Sequence, residues 1–189
     1  STFSISMKKA IFKTFLFFIL SFSVYGQESE VRISWNSEVL TWDNFAGVPD
    51  PANSFHANTS SGISYSWSKK QSGDEIEFFY EVISYFTPDH SWVKPEKNTP
   101  GLLAHEQLHF DITELHARKL RKIMTEFDFR NTRSIKPALE AFYKAAQVSL
   151  LKMQKEYDAE TRHSIDVEAQ VKWQNYIKEE LEKLKDFSS

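Results

Sequence analysis

The apolar residues of this 189-residue chain change their period at Pro88. Before it they alternate with polar ones: Val31, Ile33 and Trp35, then Ile63, Tyr65 and Trp67, then Ile76, Phe78, Tyr80 and Val82. A period of two is what a strand with one buried face requires. Gln71-Ser72-Gly73-Asp74 between the last two runs is turn chemistry, so residues 61–86 are predicted to form a β-hairpin. Val39-Leu40-Thr41-Trp42 reads as another short strand, and the stretch from Asn44 to Gly62 is rich in Gly, Pro, Ser and Asn, as a loop is.

After Pro88 the spacing is helical. Thr99 is a good N-cap, Pro100 fits a first turn, and the helix they open is expected to run to about Glu126, with Leu102, Ile112, Leu120 and Ile123 on one buried side. A second helix is expected from about Pro137 to Tyr157, with Leu139, Phe142, Ala146, Leu150 and Met153 on one face. A third is expected from about Asp166 to Lys185, its apolar side carrying Val167, Val171, Trp173, Ile177, Leu181 and Leu184. Asp158 to Ser164 falls between them as a loop. The expected class is α+β: a small antiparallel sheet followed by three helices.

Met7 is followed by Lys8, Lys9 and Lys13, then by an apolar run from Phe15 to Leu20 and by Val24-Tyr25-Gly26. That is the layout of a secretory signal, with Met7 as initiator and cleavage after Gly26. The apolar run is short for a membrane span. The expectation is an exported protein, periplasmic or extracellular, whose single domain is residues 27–189. Residues 1–26 hold three lysines and no acids, so their removal takes the net charge from −3 to −6. An acidic surface argues against nucleic acid as a partner. With no cysteine there is neither a lipoprotein anchor nor a thiolate metal site, which leaves His, Asp and Glu as ligands.

His105-Glu106-Gln107-Leu108-His109 lies within the first helix. A helix turns about 100° per residue, so His105 and His109 share a face one turn apart and can converge on one ion. Glu106 is turned aside by the same angle, where its carboxylate reaches a water activated by the metal rather than the metal. This is the HExxH division of labour, two ligands and one general base. It predicts a zincin-like domain holding one zinc ion and hydrolysing the peptide bonds of a peptide or protein substrate. The strand around residues 75–86 offers an edge to which an extended substrate can add. The competing readings are an inactive metal-binding or scaffold module and a zinc hydrolase of a cell-wall amide bond.

A catalytic zinc takes a third protein ligand. His116 lies on the right face, but seven residues of helix rise about 10.5 Å, too far to share the ion. His116 is therefore read as structural or surface. Asp111 and Glu114 are rotated away and read as packing or solvated groups. The candidates are His163 first and Glu160 second, in the expected loop after the second helix, with loop residues His56 and His90 behind them. Tyr157 and Arg162 flank that loop and could donate to a developing oxyanion, although Tyr157 also reads as a core aromatic. Arg118, Lys119, Arg121 and Lys122 read as a solvated basic face.

Leu40-Thr41-Trp42-Asp43-Asn44-Phe45-Ala46-Gly47, Ser91-Trp92-Val93, Leu102 through Arg121, Tyr157 through His163, Ala169-Gln170 and Trp173 together resemble a bacterial family named domain of unknown function 922, often labelled predicted secreted zinc-dependent protease. The most specific piece is HEQxHFDI followed by ELxARKLR. The resemblance implies metal ligation by His105 and His109, catalysis by Glu106, and a place in the site for the loop holding His163. Where it leads one to expect a glycine after that histidine, this chain has Ser164.

Overall fold

The computed structural model describes residues 30–35, 39–130 and 134–189. The expected export signal, residues 1–26, lies outside them. Among the described residues there are five strands and three α-helices: β1 (Ile33–Ser34), β2 (Ala57–Asn58), β3 (Ser61–Ser72), β4 (Glu75–Phe86), β5 (Trp92–Val93), α1 (Pro100–Glu126), α2 (Ile135–Thr161) and α3 (Val167–Lys183). The architecture is α+β, small antiparallel sheets followed by three helices. No helix among the described residues is long and apolar enough to cross a membrane.

The hairpin forms over the expected residues. Ser72 pairs with Glu75 around a two-residue turn, and Gly73 supplies the positive φ (60°) that a tight hairpin turn needs. Tyr65 pairs with Val82 and Trp67 with Tyr80, and these four pack toward the main core together with Ile63 and Phe78. The sheet order is β1-β4-β3, so β4 is the central strand. Its edge away from β3 is paired only at its C-terminal end, where β1 meets Tyr85 and Phe86 and the Trp35 N–H donates to the Ser84 carbonyl at 3.1 Å. Residues 39–42 are not a strand. Trp42–Asn44 is a turn of 3-10 helix, closed when the Thr41 N–H donates to Asn44 Oδ1 at 2.8 Å, while the Leu40 N–H donates to Gln107 Oε1 at 2.7 Å. Side-chain acceptors close to the backbone win here over strand pairing.

α1 is the axis of the molecule, packed against the hairpin, α2 and α3. The Thr99 hydroxyl caps its start by accepting from the Leu102 N–H at 3.2 Å. Leu102, Leu108, Ile112, Leu115, Leu120 and Met124 are buried, whereas Ile123 faces solvent. A helix enclosed on several sides also buries polar positions, and the expected basic face is one of these. Arg118 and Arg121 are buried around the wholly buried Glu114, which accepts from Arg118 Nε at 2.8 Å, Arg121 Nη1 at 2.9 Å and the Ser84 hydroxyl at 2.5 Å. Lys122 stays exposed.

α2 runs a turn further than expected. Pro137 is accommodated in its first turn, and the C-terminus continues through Asp158 and Glu160 to Thr161. The connection to α3 is therefore short. Arg162, His163 and Ser164 all have left-handed backbone (φ 50°, 53° and 75°), and Asp166 caps α3 by accepting from the Ala169 N–H at 2.9 Å. On α3, Trp173, Ile177, Leu181 and Leu184 face the core, while Val167 and Val171 are exposed.

Candidate metal centre

α1 places His105 and His109 one turn apart, with their rings 4.9 Å apart and edge to face. Both Nε2 atoms meet one carboxylate oxygen: Asp158 Oδ1 is 3.2 Å from His105 Nε2 and 3.0 Å from His109 Nε2. Asp158 comes from the last turns of α2. The three ligand atoms lie within 4.8 Å of one another. Donors about 2.05 Å from a tetrahedral zinc stand roughly 3.3 Å apart, so this group fits such an ion almost as it stands.

Two glutamines fix which nitrogen faces the centre. Gln154 Nε2 donates to the His109 carbonyl at 2.8 Å, which orients its Oε1 toward His109 Nδ1. Gln170 Oε1 lies 3.1 Å from His105 Nδ1. A carbonyl oxygen opposite Nδ1 takes that nitrogen's hydrogen, leaving Nε2 as a bare lone pair in the neutral ring. Two such lone pairs and a carboxylate oxygen then face each other at contact distance. Only a cation or an added proton at the centre makes that arrangement favourable. The titration behaviour has the same origin. Burial opposes protonation of His109, but the Asp158 hydrogen bond and the charges of Glu106 and Asp158 outweigh it and raise its pKa. Burial likewise disfavours the Asp158 carboxylate, yet the two histidines hold its pKa well below the ordinary range.

Tyr157 lies beneath this group. Its ring stacks on His105 at 4.6 Å and meets His109 edge-on at 4.9 Å. Its hydroxyl points to Gln170 Oε1 (2.7 Å) and the His105 carbonyl (3.1 Å), and the side chain is fully buried. Burial pushes the phenol's pKa well up. Tyr157 thus packs against both imidazoles with its hydroxyl turned to the interior rather than to the cavity.

Glu106 is buried beside the histidines. Thr59, which follows β2, donates to Glu106 Oε2 at 2.6 Å. Glu106, His105, His109 and Asp158 all line a cavity of about 780 Å³. β2 lies along it and pairs on one side with β5.

The other expected ligands stand outside the group. His163 is on the cavity wall, about half exposed, with Nδ1 3.5 Å from Asp158 Oδ1 and its ring 4.5 Å from Phe55. Glu160 points away from the centre and accepts from Trp173 Nε1 at 2.7 Å. Both follow from the continuation of α2: on a helix Asp158 faces the cavity, Glu160 is rotated off it, and His163 lies beyond the turn. His56 lines the cavity, whereas His90 is paired with Glu30. His116 is buried, with Nδ1 2.9 Å from the Ile112 carbonyl, and is structural. Asp111 accepts from Trp35 Nε1 at 2.8 Å and from Gln107 on the opposite side of α1, where burial raises its pKa. Sequence reasoning missed Asp158, Gln154, Gln170 and Thr59. A signal for two of them existed: Gln154 and Asp158 are four apart, on one face of any helix that continues to Thr161.

Residues 89–164 match a family described as bacterial protein of unknown function (DUF922). The matched segment contains His105, Glu106, His109, Gln154, Asp158 and His163. No curated protein and no solved structure matches the chain.

Proposed function

We propose that the protein is an exported zinc-dependent metallopeptidase whose zinc is held by His105, His109 and Asp158. One observation carries the metal: two imidazole Nε2 atoms, their opposite nitrogens tied to glutamine oxygens, converge on one carboxylate oxygen at 3.0 and 3.2 Å. Two histidines and a carboxylate are a donor set suited to catalytic zinc, which leaves one position open. A zinc ion held there supplies Lewis acidity, acidifying a water and polarising a carbonyl.

The chain's own groups do the rest. Glu106 takes the water's proton and returns it to the leaving amine nitrogen. The Thr59 hydroxyl holds Oε2 of that carboxylate and leaves Oε1 to act. Tyr157 and the two glutamines keep the imidazoles from rotating. β2, which lies along the cavity, offers an edge nearer the centre than residues 75–86. The His56 carbonyl accepts from the Lys94 N–H at 2.8 Å, so by strand alternation the backbone groups of Ala57 point away from β5, where an extended peptide can add.

Residues 27–189 purified without added metal and titrated with zinc test the first half of this reading. One equivalent is expected to bind the wild type and Glu106→Gln alike, and stoichiometric binding to a His105→Ala/His109→Ala variant would refute the site. Glu106→Gln tests the second half: hydrolysis of protein substrates is expected to fall at least ~100-fold with zinc retained. Equal behaviour of the two proteins would favour a metal-binding module.

A further inference from the structure

We infer that the substrate is a peptide segment carrying bulky apolar side chains within about five residues of the cleaved bond, received by Phe55, Val148, Leu151 and Ile165. The inference rests on the peptidase reading and names the substrate class for it.

The cavity that holds the metal centre is floored by polar chemistry and walled by apolar residues that fold stability does not account for. Val148 is 64% exposed, Leu151 57%, Ile165 68% and Phe55 44%, and all four line that cavity. Exposed hydrophobics scattered singly need no explanation, but several around one concave site mark a binding surface. Their placement is regular. Leu151, Gln154 and Asp158 fall at helical spacing on one face of α2, with Val148 one turn before Leu151. One helical face thus carries the apolar wall, the group that orients His109 and the metal ligand, in that order.

Seven residues of helix separate Leu151 from Asp158, a rise of about 10.5 Å. An extended peptide advances about 3.3 Å per residue, so Leu151 faces positions up to about three residues from the reacting carbonyl and Val148, a further turn away, positions up to about five. Charge narrows the occupant further. Apart from Glu106 and Asp158 at the centre, Arg162 is the one permanently charged side chain among the described residues lining the cavity. The four apolar side chains take an aliphatic or aromatic group out of water, and none of them offers a partner to a carboxylate or ammonium.

The experiment uses zinc-loaded Glu106→Gln protein, which binds without turnover, and three blocked hexapeptides differing only at two central positions: Leu-Phe, Ala-Ala or Glu-Lys. Calorimetry is expected to show Leu-Phe binding at least tenfold tighter than Ala-Ala, with Glu-Lys weakest. Leu151→Ser and Val148→Ser are expected to erase that margin while zinc content stays at one equivalent. Equal affinities, a preference for Glu-Lys or for a soluble cell-wall fragment, or no binding by any peptide would overturn the inference. Cleavage-site mapping with wild-type protein separates it from the underlying reading. Cuts that Glu106→Gln abolishes but that show no apolar enrichment would sink the subsite and leave the peptidase standing. If wild type and Glu106→Gln prove equally inert while Leu-Phe still binds preferentially, the peptidase falls and the apolar site stands.

Discussion

At the residue scale the centre is a matter of which atom each ring presents. The placement of His105, Glu106 and His109 was legible because it depends only on helical spacing within one element. That of Asp158 was not, because it depends on where α2 stops, and ending the helix at Tyr157 turned Asp158 into an undirected loop residue. The three candidate positions separate in one metal titration. Asp158→Asn keeps shape and removes the charge between the imidazoles, so zinc affinity is expected to fall by more than the ~10–100-fold typical of losing a supporting partner. Glu160→Ala is expected to leave it unchanged, and His163→Ala to change it less than tenfold; the reverse order would move the ligand to the turn. Gln154→Ala frees His109 Nδ1 from its acceptor and is expected to cost ~10–100-fold in zinc affinity without loss of fold. His116 offers a test unrelated to metal. Burial, with Lys119 adding to it, depresses its pKa against the pull of the Ile112 carbonyl, so below its ordinary value of 6.5 the unfolded chain takes up the proton first. Folding stability conferred by the neutral ring is full above that value and declines as pH falls through the window beneath it. In matched urea titrations at pH 7 and pH 5, His116→Gln should lose less stability over this interval than the wild type.

At the element scale the helices and the hairpin followed from period and caps, since Thr99, Pro100, Gly73 and Asp166 each have local chemistry that specifies one conformation. The misreadings came where long-range packing or unusual backbone decides. Residues 39–42 look like a strand by composition but are drawn into a turn by Asn44 and anchored on Gln107. The α2–α3 connection has three consecutive left-handed residues and no glycine, so nothing in its composition announces a turn that tight. The strain lies next to the candidate site: His163 N–H donates to the Asp158 carbonyl at 3.0 Å, and the turn closes directly behind the Asp158 carboxylate. Ser164, at φ 75°, stands where the family resemblance leads one to expect glycine, which takes that backbone without steric cost. Ser164→Gly is therefore expected to stabilise the fold by about 1 kcal/mol. The check is a rise in urea midpoint at unchanged slope, and a lower midpoint would show that the serine has been accommodated by its surroundings.

At the scale of the whole molecule α1 does two jobs at two places along its length. Its N-terminal half carries the histidines, and its middle carries a buried charge cluster that ties three regions together. Glu114 accepts from Ser84 on β4 and from Arg118 and Arg121. Arg121 Nε donates to the Val82 carbonyl at 3.0 Å and its Nη1 to the Phe187 carbonyl at 2.9 Å, and Arg118 Nη1 donates to the Leu181 carbonyl at 2.8 Å. Composition alone made these arginines look like a solvated face, because what buries them is the sheet on one side and the C-terminal segment on the other. Removing the acid leaves two cations enclosed with carbonyl oxygens but no counter-charge, and breaking a buried pair in this way costs ~3–5 kcal/mol. Glu114→Ala is expected to lose that much in urea unfolding and to raise hydrogen exchange in residues 181–188 ahead of the rest of α1. The metal centre should not share in the loss. Five residues of helix rise about 7.5 Å between His109 and Glu114, and the two side chains point to different sides of the axis. The folded fraction of Glu114→Ala is therefore expected to bind zinc with wild-type affinity, measured at low temperature where that fraction dominates. If zinc affinity falls in step with stability, the clamp and the centre are one cooperative unit, and α1 transmits the state of the C-terminal segment to the site.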